Sequence, residues 1–179
     1  MSEQLPSREQ ALQLLHQTGC SARVVKHCDA VAELAVEIAQ TCKERGLTVN
    51  AELVEIGALL HDIGRAKTHT VHHAVVGAEI AKNKGLPEAV VSIIKRHVGG
   101  GIDDSEAEEL GWPNDIYVPQ TLEEKIVAYA DKLIEGSRRV PIERTVNSLS
   151  RKIPHGAVER IIKLHVEMTT LVGDCQCRP

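Results

Sequence analysis

Apolar residues recur every three or four positions along this chain, in segments separated by glycine, proline and small polar residues. That is the pattern of successive amphipathic helices. Ser7 followed by Gln10 has the form of a capping box and opens a helix that stops at Gly19. Ser21 begins a longer helix reaching Gly46, with an apolar stripe of Val24, Val31, Leu34, Ala35, Ile38 and Cys42. Asn50 caps a third, carrying Leu53, Ile56, Gly57 and Leu60, and Gly64 stands where a helix stop belongs. A fourth covers residues 70–84 and ends at Gly85. Pro87 takes the first turn of a fifth, which ends near the run Gly99-Gly100-Gly101. Residues 99–120 are acidic and rich in turn formers. Thr121 and Glu124 make another capping box, opening a sixth helix to about residue 138. Pro141 begins a seventh, and Pro154 separates it from a last helix ending near residue 172. No segment alternates convincingly with period two, so no strand is predicted. The expectation is an all-α, single-domain helical bundle over residues 1–179. Its core covers 21–140, the C-terminal helices 141–172, and a short tail 173–179.

Composition narrows the picture. The 179 residues are 42% hydrophobic with one Trp, two Tyr and no Phe, so the core must be aliphatic. A formal charge of −4 speaks against a general nucleic-acid coat. The first ten residues are polar and no apolar run is long enough to span a bilayer, so a cytoplasmic protein without membrane contact is expected. Five cysteines, an odd number, point to reduced thiols. Cys175 and Cys177 have no nearby His or Cys to complete a tetrahedral metal set and read as a loose tail.

The chemistry gathers on the apolar faces. His61 and Asp62 stand side by side at the end of the third helix. His27 lies on the stripe between Val24 and Val31, His73 shares a face with Val76 and Ile80, His97 continues Val90, Ile93 and Ile94, and Asp131 continues Val127. A lone histidine on such a face is ordinarily a core residue with its own hydrogen-bond partner, and Asp131 alone could pair with Lys132 or Arg138. Five helices each burying an ionisable group would need five separate partners, because an isolated buried charge costs several kcal/mol. One shared metal accounts for all of them, and imidazole with carboxylate suits Zn, Mn, Fe, Co or Ni.

The order His27, His61-Asp62, Asp131 resembles that of the HD superfamily of metal-dependent phosphohydrolases, and His61-Asp62-Ile63-Gly64 matches its most recognisable variant. The resemblance covers about residues 21–140 and implies an HD-type helical bundle in which these four groups hold one divalent metal. His73 and His97 match the two further histidines of members that hold a second. Their surroundings, with Ala130-Asp131-Lys132-Leu133 and Arg138, are similar to those of bacterial HD hydrolases that cut diadenosine tetraphosphate symmetrically. In those enzymes a short link joins the last histidine to the final helix. Here residues 99–120 intervene, which brings the chain closer to a small archaeal-type HD group.

What the resemblance implies is hydrolysis of a small phosphate ester, a nucleotide or dinucleoside polyphosphate, by metal-activated water. Asp62 would bridge two metals, or orient the water beside one. Arg65 falls where the family often has a basic residue facing the phosphate. Arg96, Lys132 and Arg138 are further candidates for the phosphate, and Arg suits a bidentate contact. The same site would serve a 5′-nucleotidase or a cyclic phosphodiesterase. A domain that keeps the metal for stability without turnover is the reading of a different class. His16, His69, His72, His155 and His165 are expected to be non-ligands. Trp112 and Tyr117 are two of the three aromatics and both fall in 99–120. The segment is read as a lid on which Trp112 or Tyr117 stacks a base, against the competing reading that they pin it to the core. The sequence leaves the oligomeric state open.

Overall fold

The computed structural model describes residues 4–173, so Cys175 and Cys177 lie outside the described residues. Apart from one two-stranded hairpin, every regular element is helical: α1 (Arg8–Thr18), α2 (Ala22–Glu44), α3 (Ala51–Leu60), α4 (His73–Asn83), α5 (Glu88–Arg96), α6 (Asp104–Glu109), α7 (Leu122–Lys132), β1 (Ile134–Glu135), β2 (Arg138–Arg139), α8 (Ile142–Leu149) and α9 (His155–Val172). The caps sit where the sequence places them. Ser7 and Gln10 form a reciprocal box at α1, and Ser21, Asn50 and Thr121 accept from the backbone N–H three residues on in α2, α3 and α7.

The third helix is the axis of the bundle. Val54, Ile56, Gly57, Ala58, Leu59 and Leu60 are all buried, and α1, α2, α5 and α7 pack around them. An ideal Cβ at Gly57 would lie 2.5 Å from Ile93 Cδ1, so α5 approaches α3 more closely than any side chain there would allow.

Three boundaries differ from the sequence expectation. The third helix stops at Leu60 rather than at Gly64, because a 3-10 turn (Ile63–Ala66) follows and presses against α4. Gly64 is needed there for space, not as a stop: a Cβ on it would come within 2.0 Å of the His73 carbonyl oxygen and 2.7 Å of the Gly77 nitrogen. The fourth helix starts at His73 rather than at residue 70, the hydroxyls of Thr68 and Thr70 making local turns ahead of it. The sixth predicted helix ends at Lys132, and the chain turns back through β1 and β2, with Ile134 opposite Arg139 and Glu135 opposite Arg138. A two-residue antiparallel pair is too short to leave a periodic signal, and Gly136 at φ +65° makes its turn.

Residues 99–120 form a small folded unit. Asp103 and Glu106 cap α6 reciprocally, and Ile102, Ala107, Trp112 and Tyr117 pack with Ala74 in a satellite core. Ion pairs fasten the unit: Lys95 with Asp115 at 2.5 Å, and Arg160 with Asp103 at 2.8 Å and with Glu106. No helix among the described residues is long and apolar enough to cross a membrane.

Gly64→Ala should therefore cost roughly 1–3 kcal/mol, the range for forcing atoms into a packed site. Gly156→Ala, whose Cβ would meet nothing nearer than 3.7 Å, should be neutral or stabilise by up to about 1 kcal/mol through helix propensity. Thermal melts of the two variants against the parent check this.

Candidate metal centre

Each of the four core histidines is oriented by the same device. The Nδ1 of His61 lies 2.7 Å from the Ala58 carbonyl oxygen, that of His97 2.7 Å from Ile94 O, and that of His73 2.7 Å from Thr70 O. In each case the acceptor is three residues earlier: for His61 and His97 a carbonyl of the last helical turn, and for His73 the Thr70 carbonyl ahead of α4, which also accepts the His73 backbone N–H. His27 Nδ1 lies 2.8 Å from Gly136 O, in the hairpin that ends α7. With Nδ1–H donated to a carbonyl, each neutral ring turns a bare Nε2 lone pair inward, the arrangement that metal-ligating histidines use.

Those lone pairs converge. His27 Nε2 is 2.9 Å and His61 Nε2 is 3.4 Å from Asp131 Oδ1. On the other side, His73 Nε2 is 3.0 Å and His97 Nε2 is 3.5 Å from Asp62 Oδ1. His73 Nε2 and His97 Nε2 are 3.1 Å apart. Two acceptors at that distance repel unless a cation or a proton lies between them. Buried His61 Nε2 and Asp62 Oδ1 have no hydrogen-bond partner at all, a cost of about 1–3 kcal/mol for each group so left. The donor atoms of His27, His61 and Asp131 lie within 4.8 Å of one another, and so do those of His61, Asp62 and His97. Nitrogen and carboxylate oxygen in these numbers can hold one divalent transition metal or two neighbouring ones.

The electrostatics demand positive charge at the same place. Burial opposes ionisation of Asp62, but His61, His73 and His97 outweigh it and hold its carboxyl well below the usual range. Asp131 is likewise held well below, against burial, by Lys132 and then by His27 and His61. Burial disfavours a charged His61, yet Asp62 and Asp131 draw a proton onto it and raise it well above 6.5. Burial and the charges on His61 and His73 push His97 down to about 4.

Asp62 is also gripped from outside, its Oδ2 taking the Arg65 Nε–H at 2.5 Å. Lys132 Nζ pairs with Asp131 Oδ2. His27 and Arg65 line both of the clefts that open beside the cluster.

The remaining phosphate candidates lie elsewhere. Arg96 is half-buried in an ion pair with Glu124 at 2.8 Å and donates to Ile116 O, so it fastens the 99–120 unit to α7. Arg138 is exposed in the hairpin and lines neither cleft. Trp112 is 8% exposed, packed edge-on against Tyr117, with its indole N–H donated to His72 Nδ1 at 2.8 Å. The stacking role expected for Trp112 or Tyr117 is therefore corrected: both are core residues of the insert, and the scarcity of aromatics elsewhere was a packing signal.

His72 is engaged as that acceptor, His165 Nδ1 lies 2.9 Å from the Tyr129 hydroxyl, and His155 pairs with Glu159 on the surface. His16 is exposed, and His69 lines one cleft with its carbonyl accepting from Arg65. The sequence reading missed Gly136, whose carbonyl orients His27. The turn-forming pair Gly136-Ser137 was the available signal. It also missed Arg23, which lines a cleft one helical turn before His27.

A family model of the HD domain matches residues 24–136. The chain is 47% identical over 166 residues to an uncharacterized protein of Methanocaldococcus jannaschii, covering 92% of this chain and 98% of that relative. It is 44% identical over 169 residues to a tRNA (cytidine(56)-2′-O)-methyltransferase of Thermoplasma volcanium, covering 94% of this chain and 48% of that protein, so it spans about half the relative's length. Over 143 residues it is 34% identical to Ribonuclease Y of Acidothermus cellulolyticus, covering 77% of this chain and a quarter (25%) of that one. Among solved structures, the HD domain of the phosphodiesterase PgpH from L. monocytogenes, in complex with cyclic-di-AMP, superposes with a TM-score of 0.55. It shows 18% identity and covers 92% of this chain and 98% of that chain, a likeness of fold.

Two predictions follow from the cluster. His61→Ala should remove bound metal, because His61 belongs to both donor groups, whereas His97→Ala should lower a stoichiometry of two while leaving one metal partly bound. Metal analysis of protein purified without chelator and reloaded with Mn²⁺ decides; full metal in His61→Ala would refute the assignment. Trp112→Ala should lower Tm, by the roughly 3–5 kcal/mol typical of a buried Trp, and reduce turnover of a nucleotide and of a small phosphate ester in equal proportion.

Proposed function

This chain belongs to the HD domain family of metal-dependent phosphohydrolases, and we propose that it hydrolyses a phosphoanhydride or phosphoester bond of a nucleotide or dinucleoside polyphosphate. The observation that carries the hydrolase reading is the convergence of the His27, His61, Asp62, His97 and Asp131 donor atoms beside two open clefts, one lined by His27 and Asp62 and the other by His27 and Asp131. A buried cluster needed only for stability would not be left open to solvent-sized molecules on two sides.

In this reading His27, His61, Asp62 and Asp131 hold a first divalent metal, and His73 and His97 with Asp62 hold a second. A bound divalent metal supplies acidified water as nucleophile and neutralises phosphoryl charge. The chain's own residues do the rest. Arg65 holds Asp62 Oδ2 through Nε, which leaves Oδ1 facing the histidines. Its side chain is 30% exposed and lines both clefts, with Nη1 on the His69 carbonyl at 3.4 Å, and in this reading Nη2 serves a phosphate oxygen. Lys132 lines one of the same clefts and is paired with Asp131, whose carboxylate it holds in place. Ala58, Thr70, Ile94 and Gly136 keep the four imidazoles in the tautomer that binds metal.

The choice of nucleotide rests on the motif surroundings of His73, His97 and Asp131, which resemble those of diadenosine tetraphosphate hydrolases. A second reading, cleavage of a phosphodiester, is favoured by the likeness to Ribonuclease Y and to the PgpH domain.

With Mn²⁺, the protein should release nucleotide from diadenosine tetraphosphate faster than it opens cyclic-di-AMP, and chelator should abolish both. Asp62→Ala should cut turnover by at least about 10³, on the scale of losing a group that acts with the metal. The opposite substrate preference would install the phosphodiesterase reading. Full metal loading without turnover on either would leave a non-catalytic domain.

A further inference from the structure

The two clefts beside the metal centre share His27 and Arg65 but are otherwise unlike. The first is lined by Arg23, together with Ser21 and His69. Arg23 is exposed on α2, four residues before His27 and so on the same helical face, and its guanidinium has no carboxylate partner among the described residues. An unpaired guanidinium in a cleft is available to an anion at no cost of breaking an existing pair.

The second cleft runs between the end of α7, β1 and α8, and is lined by Lys132, Ile134, Arg144, Thr145, Ser148 and Leu149. Its cations are already neutralised: Lys132 by Asp131 and Arg144 by Glu135, the latter at 2.5 Å. Apart from the shared Arg65, the rest of the lining is apolar or hydroxylic, with Leu149 half-buried against the main core and Ser148 exposed. The wall is held at a set distance from the metal ligands, since Thr145 Oγ1 donates to the Lys132 carbonyl at 2.6 Å, next to Asp131. Helix α8 also lies beyond residues 24–136, outside the part that matches the HD model.

We infer that the two clefts are complementary subsites on either side of the phosphate that is cut: the Arg23 cleft takes a further phosphate, and the α8 cleft takes the nucleoside end of the substrate. The substrate class is a nucleoside carrying two or more linked phosphates. Specificity for the nucleoside is set by Ser148 and Leu149, and for the second phosphate by Arg23. The inference rests on the phosphohydrolase reading of the same centre.

Binding tests it without turnover. Three probes are titrated calorimetrically into Mn²⁺-saturated protein: adenosine 5′-(α,β-methylene)diphosphate, methylenediphosphonate and adenosine 5′-monophosphate. The first should bind about tenfold more tightly than either of the others, the scale of one added apolar or charge-assisted contact. Leu149→Ala should remove its advantage over methylenediphosphonate while leaving its advantage over the monophosphate. Ser148→Leu, at an exposed position that folding tolerates, should do the same by filling the cleft. Arg23→Ala should have the converse effect. Equal affinity of the nucleoside diphosphate analogue and methylenediphosphonate in the parent protein overturns the inference, as does an Arg23→Ala effect on the nucleoside contribution. If methylenediphosphonate fails to bind in a metal-dependent way, the phosphohydrolase reading falls and the inference with it. Metal-dependent binding without a nucleoside advantage defeats the inference alone.

Discussion

The structure depends on one unresolved electrostatic demand. Four imidazoles and two carboxylates are carried to one point by α2, by the end of α3, by α4, by α5 and by α7, and the point lies within an aliphatic core. Every imidazole has its Nδ1 on a backbone carbonyl, and His61 Nε2 and Asp62 Oδ1 are left buried without a hydrogen-bond partner. Charge must be brought in from outside. The donor atoms fall into two sets that could each hold a cation, while the protonation preferences of neighbouring imidazoles diverge, His61 being raised well above 6.5 and His97 pushed down to about 4. The cluster is therefore the point where five segments of the chain are brought together.

Close approach is the second constraint, and it follows from the first. For His61, Asp62 and His73 to meet, the turn after α3 must lie against α4 with no side chain between them. Gly64 and Gly77 face each other there, and a Cβ on Gly77 would fall 2.9 Å from Ile94 and 3.1 Å from the Gly64 nitrogen. The glycine after Asp62 is thus tied to the metal centre by volume. Its backbone has ordinary φ, so no conformational argument for it applies.

The insert between α5 and α7 is attached by buried charge and by aromatics. Lys95 and Arg96, adjacent to His97, hold Asp115 and Glu124, while Trp112 and Tyr117 form their own small core against Ala74. The clefts open between α2, the turn after Asp62, and the hairpin with α8.

How much of this was legible in the chain depends on the range of the forces involved. Capping side chains act on backbone groups three residues away, so Ser7, Ser21, Asn50 and Thr121 marked their helices correctly. The 3.6-residue period reports which face is buried, so the polar residues on that face, His27, His61, His73, His97 and Asp131, stood out and are the ones that converge. The period is silent on what lies opposite a face. Whether Arg96 reaches a phosphate or Glu124, whether Trp112 meets a base or Tyr117, and why Gly64 must be glycine are questions about neighbours far apart in the chain. Only the packing of α4, α5 and α7 against one another answers them. The hairpin at 134–139 shows the same division: two paired residues per strand carry too little periodicity to be read, yet its Gly136 carbonyl sets the tautomer of His27 across 109 positions of sequence.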